Sequence, residues 1–127
     1  MIVLDASAAV SALLNAGDAR AALGDDTVQV PHLIDSEIAS ALRRQVGRGD
    51  LSADDGWTAL AAWQRMGVVR HPVAGLLDRI WALRENVSAY DASYLALAEA
   101  LGCAVLTADA RLSRVPGLRC PVTVVPR

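Results

Sequence analysis

Short apolar segments alternate with longer segments of helical periodicity along this chain. The apolar or β-prone segments fall at residues 1–4, 27–30, 68–70, 104–106 and 122–125. Short strands that are apolar throughout are typical of parallel sheets covered by helices on both faces. The alternation therefore predicts an α/β fold, a three-layer α/β/α arrangement around a mostly parallel five-stranded sheet.

Capping and stop residues delimit the helical segments. Ser52 and Ser88 each stand three residues before an acid, which is a capping-box pattern, and glycines follow several of the periodic stretches. Pro31 is expected to end the second strand. The first predicted helix begins at Ser7, its cap, and stops at Asn15-Ala16-Gly17. Five more helices are predicted over residues 18–23, 33–46, 52–66, 72–83 and 88–101, and a helical turn is predicted at 109–112.

Connection rules narrow the order of the strands. Right-handed crossovers between five strands favour a doubly wound sheet in the order 3-2-1-4-5, with strands one and four adjacent at the switch point. A chain of 127 residues without a repeat or linker is expected to form a single domain over residues 1–127. The carboxyl ends of all five strands then lie along one edge.

Composition excludes several classes of protein. All 12 cationic side chains are arginines, so the lysine required by phosphate-loop NTPases and by Schiff-base chemistry is missing. A formal charge of −2 gives no general attraction to nucleic acid. The uncharged stretch 6–17 is too short to span a membrane, and no cation precedes Arg20, so we expect a cytoplasmic protein without a signal peptide or membrane contact.

Four acids are expected to converge on the carboxyl edge of the sheet. Asp5 follows strand one, and Asp109 follows strand four. The helix before strand four must run antiparallel to it, which brings Asp91 in its first turn to the same edge. Glu37, one turn into the helix after strand two, arrives there as well.

Each acid also has a structural interpretation. Asp5 and Ser7 are potential helix caps, Asp91 belongs to a capping-box pattern, Asp109 is positioned to cap its turn, and Glu37 lies on a helix flank. Their common edge favours a site. Four neighbouring carboxylates repel unless a cation lies between them, and ligands that are all oxygen select Mg²⁺ or Mn²⁺ over zinc.

The remaining polar residues receive smaller roles. The hydroxyls of Ser7 and Thr107 stand beside Asp5 and Asp109, where they can orient a carboxylate or a bound water, or act as ordinary caps. Asp35, Asp54 and Asp55 are expected to be surface or capping residues, His32 and His71 receive no role, and Cys103 and Cys120 are expected to be buried free thiols.

A family resemblance rests on these motifs. Its elements are Leu4-Asp5-Ala6-Ser7, Glu37 after Pro31, the nine residues Tyr-Asp-Ala-Ser-Tyr-Leu-Ala-Leu-Ala at 90–98, and Leu106-Thr107-Ala108-Asp109. In order and spacing they resemble a PIN-domain ribonuclease, and within that family the chain is most similar to VapC-type toxins of toxin–antitoxin pairs. The similarity extends over the whole chain.

The resemblance implies an activity and partners. It implies a Mg²⁺- or Mn²⁺-dependent endoribonuclease that cleaves RNA at Asp5, Glu37, Asp91 and Asp109. The metal ligands would be Asp5, Asp91 and Asp109, whereas Glu37 would bind through water or orient the nucleophile. It also implies a homodimer inhibited by a cognate VapB-type antitoxin.

Two other functions stay open at this stage. One is a catalytically silent PIN-like binding module, and the other is a metal-dependent phosphatase or nuclease outside toxin–antitoxin systems. A phosphatase of the haloacid-dehalogenase type is disfavoured, because it needs a second Asp where Ser7 stands and a lysine. Metal-dependent cleavage of RNA separates a ribonuclease from a silent module.

Arginines and tryptophans suggest where partners bind. Arg44 and Arg48 fall on the same side of their helix as Glu37, so they are candidates to guide an RNA backbone; the alternative is a solvated flank or an antitoxin contact. Trp57, Trp63 and Trp81 lie on amphipathic helices and are expected in the core. A mean hydropathy of +0.32 nevertheless suggests a covered interface.

Overall fold

The computed structural model describes residues 1–15 and 17–126 and contains five strands and six α-helices in these ranges. The strands are β1 (Ile2–Leu4), β2 (Val28–Pro31), β3 (Val69–His71), β4 (Ala104–Thr107) and β5 (Val122–Val124). The helices are α1 (Ala6–Leu14), α2 (Asp18–Leu23), α3 (Ile34–Gly47), α4 (Ala53–Arg65), α5 (Leu77–Ala82) and α6 (Ala89–Leu101).

The strands form one parallel sheet in the order β3-β2-β1-β4-β5. The predicted α/β class and strand order are confirmed. In the centre, Leu4 of β1 is in register with Leu106 of β4, which places Asp5 and Thr107 at the same edge of the sheet. Both leucines are fully buried, as expected for strands covered on two faces.

Helices cover the sheet in two groups. Helix α1 contacts α2, α3 and α4, whereas α6 contacts α5 and the strands β1, β2 and β4. The segment 92–98 of α6 is buried on every side, which explains why it lacks a polar face. Gly102 ends α6 in the left-handed conformation, at φ 68°, which a glycine adopts without steric cost. None of the described helices is long and apolar enough to cross a membrane.

Several local predictions need correction. The strand β2 ends at Pro31 as expected but includes the proline as its last residue, and the next backbone N–H, that of His32, donates to the carbonyl of His71. Of the two potential caps of α1, Asp5 is the cap and Ser7 is not, because the Asp5 carboxylate accepts the N–H of Ala8. The single helix expected over 72–83 is a 3-10 helix, Ala74–Leu76, followed by the short α5.

The expectations for the turn after Asp109, the end of α1 and the two cysteines had different outcomes. The predicted turn after Asp109 is a 3-10 helix, Ala110–Arg114, which is capped by that acid. The stop predicted at Asn15-Ala16-Gly17 includes Ala16, which lies outside the described residues. Cys103 and Cys120 are free as expected but only partly buried.

Asp35 and the tryptophans depart from their expected places. Asp35 is not a simple surface residue, because it accepts hydrogen bonds from the indole of Trp63 and from the guanidinium of Arg70. It thereby ties α3 to α4 and β3. Trp63 is buried as expected, but Trp57 and Trp81 are 63% and 68% exposed. The sequence patterns did not distinguish them, since all three lie on amphipathic helices.

Candidate functional site

Asp5 is anchored at the carboxyl end of β1. Its Oδ1 accepts the backbone N–H of Ala8 at 2.9 Å and the hydroxyl of Ser7 at 2.7 Å, and its Oδ2 accepts the hydroxyl of Thr107. Burial raises the pKa of Asp5; the three hydrogen bonds oppose this rise and the charge of Asp91 adds to it. The carboxylate is therefore buried but held in one orientation.

The same hydroxyls join the ends of β1 and β4. Ser7 accepts the N–H of Ala108 at 3.0 Å, and Thr107 accepts the N–H of Asp109 at 3.0 Å. These bonds fix the turn that follows β4, so that Asp109 leaves the sheet beside Asp5. Because Ser7 and Thr107 both contact Asp5, they are positioned to orient it.

Asp109 forms a two-pronged ion pair with Arg111. Nη2 of the guanidinium lies 2.6 Å from Oδ2, and Nε lies 3.0 Å from Oδ1. The backbone N–H of Arg111 also donates to Oδ1, as expected of a helix cap. The Asp109 side chain is 15% exposed, whereas the Arg111 side chain is 79% exposed. The pair thus lies at the surface of the site, with the acid on its inner side.

Glu37 approaches the same region from α3. Its Oε1 accepts the hydroxyl of Tyr94 at 2.7 Å, which links α3 to α6. Burial raises the pKa of Glu37, the Tyr94 hydrogen bond opposes this rise, and the charges of Asp91 and Asp5 add to it. Burial and the contact with Glu37 also raise the pKa of Tyr94, so its hydroxyl stays a donor.

Asp91 lies in the first turn of α6. Its backbone N–H donates to the cap Ser88 at 3.2 Å, so the predicted capping interaction exists. Burial raises the pKa of its carboxyl group, and the charge of Asp109 adds to the rise, whereas Arg111 and Ser88 oppose it. Asp91 is therefore both a capping-pattern residue and a member of a group of interacting acids.

Electrostatic interactions connect all four predicted acids. Asp91 interacts with Asp5, Glu37 and Asp109, and Glu37 also interacts with Asp5. These four residues are called the acidic cluster below. The structure brings them to one edge of the sheet, while their roles as catalytic residues and metal ligands stay predictions.

The acidic cluster matches a divalent metal ion in its donor chemistry but is not a preformed coordination sphere. Its donors are carboxylate oxygens, the ligands that Mg²⁺ and Mn²⁺ prefer. Yet within residues 1–15 and 17–126 no three His, Cys, Asp or Glu side chains are grouped so as to hold a metal ion. Two of the cluster's carboxylates already have strong partners, Arg111 for Asp109 and Tyr94 for Glu37. Metal binding therefore requires side-chain movement.

A groove leads away from the acidic cluster between α1 and α3. It encloses about 780 Å³ and runs from Glu37 past Ser40 and Arg44 to Arg48, with Tyr90 at its wall. Arg44 donates to Ser40, and Arg48 forms an exposed pair with Asp50. The two predicted RNA-binding arginines thus share a groove with Glu37.

Two contacts of the acidic cluster were missed in the sequence. Arg111 follows Asp109 by two residues in a capped turn, a spacing that lets a guanidinium fold back on the capping acid. Tyr94 lies three residues after Asp91 and therefore on the same helical face. Both signals were present, but neither residue type belongs to the expected set of metal ligands.

A family comparison covers most of the chain. The PIN domain family matches residues 2–118. The chain belongs to the PIN domain family. The resemblance seen in the motifs is therefore confirmed. Ribonuclease VapC9 of Mycobacterium tuberculosis is 60% identical to this PIN domain over 127 residues, which are 100% of both chains.

Solved structures share the fold. The structure of VapBC2 from Rickettsia felis, bound to a DNA fragment from their promoter, matches with a TM-score of 0.71 at 15% identity and covers 96% of this chain and 98% of the other. Mycobacterium tuberculosis VapC20, described as a sarcin–ricin loop cleaving toxin, matches with a TM-score of 0.66 at 21% identity, covering 91% and 95%. At these identities the matches show the common PIN fold.

Proposed function

We propose that this PIN domain is the toxin of a toxin–antitoxin pair and an endoribonuclease that cleaves RNA phosphodiester bonds with Mg²⁺ or Mn²⁺. The observation that carries the proposal is the 60% identity to VapC ribonucleases over the full length of the chain. The placement of four interacting carboxylates at one sheet edge agrees with it. A phosphatase of the haloacid-dehalogenase type stays disfavoured, because Ser7 stands where that family needs a second Asp and the sequence has no lysine.

The surroundings of the four acids suit them to different roles, and three of them are proposed as metal ligands. Asp5, Asp91 and Asp109 would hold the metal ion, which supplies a Lewis acid that activates water and neutralises charge on the phosphate. Asp5 cannot turn away from the cluster without losing three hydrogen bonds. Its fixed carboxylate would therefore anchor the ion, and Asp91 and Asp109 would supply the other carboxylate ligands.

Glu37 is suited to orient the attacking water. Tyr94 holds one of its carboxylate oxygens, which leaves the other, Oε2, to accept a hydrogen bond from water. Burial raises the pKa of this carboxyl group, which makes its carboxylate a stronger proton acceptor. Glu37 would thus act through water rather than as a primary metal ligand.

Cleavage of RNA by the purified protein tests the activity. We expect cleavage with Mg²⁺ or Mn²⁺, loss of cleavage on addition of a chelator, and recovery when the metal is restored. Asp91→Asn should reduce the rate at least about 100-fold, since it removes a ligand charge from the reacting centre. Asp78→Asn is a matched control, because Asp78 is an exposed acid in the first turn of α5.

The same assay distinguishes the alternative. A wild-type protein that binds RNA but does not cleave it with either metal would contradict the proposal and favour a silent binding module. Cleavage that persists in the chelator would contradict the role given to the acidic cluster. So would an Asp91→Asn variant that cleaves RNA as fast as the wild type.

We propose further that Arg44 and Arg48 guide the RNA backbone toward the acidic cluster. Both line the groove that begins at Glu37, and phosphates are the groups that exposed arginines in such a groove bind. Replacing both by alanine should weaken RNA binding and flatten its dependence on salt. The double variant of Arg43 and Arg65 to alanine is the control, because these exposed arginines do not line the groove. Unchanged cleavage and salt dependence would contradict the proposal.

The partners are proposed from names and from exposed apolar surface. VapBC2, which shares the fold, is a complex by its name, and we propose a cognate VapB-type antitoxin for this chain. Trp57, Trp81 and Leu77 are each more than half exposed, which suggests surfaces that a second copy or an antitoxin covers. We place the protein in the cytoplasm, where its proposed substrate and antitoxin occur.

Expression of the chain alone tests these partners. We expect a dimer in gel filtration and poor growth of the producing cells. Asp91→Asn should relieve the toxicity without changing the dimer, because Asp91 belongs to the acidic cluster and not to the exposed apolar surface. A monomer that cells tolerate well would contradict both the toxin and the dimer.

A further inference from the structure

Arg111 places a cation against the acidic cluster from within the chain. Both oxygens of Asp109 accept hydrogen bonds from its guanidinium, at 3.0 Å for Nε to Oδ1 and 2.6 Å for Nη2 to Oδ2. A planar guanidinium that meets a carboxylate in this two-pronged geometry makes one of the stronger polar contacts in proteins. Asp109 is therefore engaged by Arg111 rather than directed at a shared ion position.

The influence of Arg111 extends beyond this pair. Its charge lowers the pKa of Asp91, while Asp109 raises it, so Arg111 offsets part of the repulsion between these two acids. Neighbouring carboxylates need a cation to be stable together, and the structure supplies one in Arg111. The guanidinium thus has the electrostatic role that the sequence pattern assigned to a metal ion.

The position of Arg111 allows it to leave. Its side chain is 79% exposed, and its backbone belongs to the 3-10 helix that Asp109 caps. Few contacts beyond Asp109 would be lost if the side chain moved into solvent. Asp109, by contrast, stays at the end of β4 through the bond of its N–H to Thr107. Movement of the arginine alone would expose the carboxylate to another cation.

We propose that Arg111 is a built-in counter-cation of the acidic cluster, which holds Asp109 until a divalent ion displaces it. This inference rests on the proposed function, since it assumes that Asp109 is a metal ligand. Arg111 and the metal ion compete for one carboxylate, so Arg111 weakens metal binding and stabilises the metal-free protein. It is a positioning residue that sets the concentration of metal at which the cluster is filled.

Metal titration tests the competition. Calorimetry with MnCl₂ on the wild type, Arg111→Gln and Arg114→Gln measures affinity without any cleavage. We expect Arg111→Gln to bind Mn²⁺ at least about threefold more tightly, because a positive charge next to the ion is removed. Arg114→Gln, on the same short helix, should bind like the wild type. Equal or weaker binding by Arg111→Gln would overturn the proposal.

Melting temperatures in a chelator test the counter-cation role without metal. Arg111→Gln should lower the melting temperature, and the loss should be smaller in an Asp91→Asn background, where less repulsion remains to be offset. An equal loss in both backgrounds would overturn this role. A third outcome separates the two proposals: the melting temperatures change as predicted, but neither the wild type nor any variant binds Mn²⁺. The metal-dependent activity proposed above and the competition for Asp109 would then both fail, whereas the counter-cation role would stand.

Discussion

At the scale of single residues, the site depends on hydroxyl groups as much as on acids. Ser7 and Thr107 orient Asp5, and Tyr94 holds Glu37. Each hydroxyl allows a buried carboxylate to keep its charge in surroundings that disfavour it. The four acids were predictable because each stands at a strand end or in the first turns of a helix. Arg111 and Tyr94 were not predicted, although their spacing from Asp109 and Asp91 allows these contacts, because neither residue type belongs to the expected set of metal ligands.

Asp5→Asn should reduce the stabilisation that metal ions give. Mg²⁺ or Mn²⁺ should raise the melting temperature of the wild type, because an ion that binds the folded state selectively stabilises it. The rise should be smaller for Asp5→Asn and unchanged for Asp54→Asn, a control on the exposed face of α4. Thermal melts with and without metal measure the difference. Equal shifts for the wild type and Asp5→Asn would contradict a metal site at Asp5.

Tyr94→Phe should lower both stability and activity. It removes the hydroxyl that Glu37 accepts, which costs about 1 kcal/mol of unfolding free energy and frees the carboxylate to rotate. Chemical denaturation measures the stability, and the RNA cleavage assay measures the rate. Tyr90→Phe is the control for stability, because Tyr90 is 59% exposed. If Tyr94→Phe cleaves RNA like the wild type, Tyr94 has only a structural role.

At the scale of elements, predictions succeeded where periodicity and caps agreed. Helix α6 has its cap at Ser88 and its stop at Gly102, and β1 is apolar at every position, so both elements were predicted closely. Prediction failed over 72–83, where Pro72 and Gly75 interrupt an apolar pattern that continues on both sides. The structure forms a 3-10 turn there before α5 begins.

Asp35→Asn should loosen the contact between α3, α4 and β3. Its carboxylate accepts bonds from Arg70 at 2.8 and 2.9 Å and from the buried Trp63 at 2.7 Å. Because Asp35 and Arg70 are partly exposed, we expect a loss of about 1 kcal/mol rather than the larger value of a buried pair. Urea denaturation measures it, with Asp55→Asn as an exposed control. A variant as stable as the wild type would show that packing alone joins these elements.

At the scale of the whole molecule, connection rules predicted the strand order. Right-handed crossovers left few arrangements for five strands, and the order 3-2-1-4-5 is the one observed. That order brings together acids that are far apart in the chain. Surface properties were less predictable, because Trp57 and Trp81 have the same amphipathic context as the buried Trp63. Exposure depends on which helices pack together, which a single sequence pattern does not specify.

The metal-free protein should become more stable as the pH falls from 7 toward 5. The folded state raises the pKa values of Asp5, Glu37 and Asp91, so their charged forms oppose folding at neutral pH. Protonation through these raised pKa values removes that penalty before the unfolded chain is protonated. Asp35 acts in the opposite direction, since its pKa is lowered from 3.8, but its contribution is lost only at more acidic pH.

Melting temperatures recorded in a chelator across this pH range test the prediction. The gain on acidification should be smaller for Asp91→Asn, which removes one of the three groups and part of the repulsion on the others. A melting temperature that falls steadily as the pH is lowered from 7 to 5 would contradict the proposed link between the raised pKa values and stability.

The central strand β1 is synthesised before the other four strands of the sheet, so the residues of the site are made at different times during translation. Asp5 emerges from the ribosome before Thr107, because the hydroxyl that anchors it lies 102 residues later in the chain. At ordinary translation rates that interval lasts roughly 5 to 20 seconds. Until β4 arrives, β1 lacks its neighbour on one side and Asp109 does not exist. The acidic cluster is therefore completed only after β4 and Asp109 have been made, and a truncated product that ends before residue 104 has no such site.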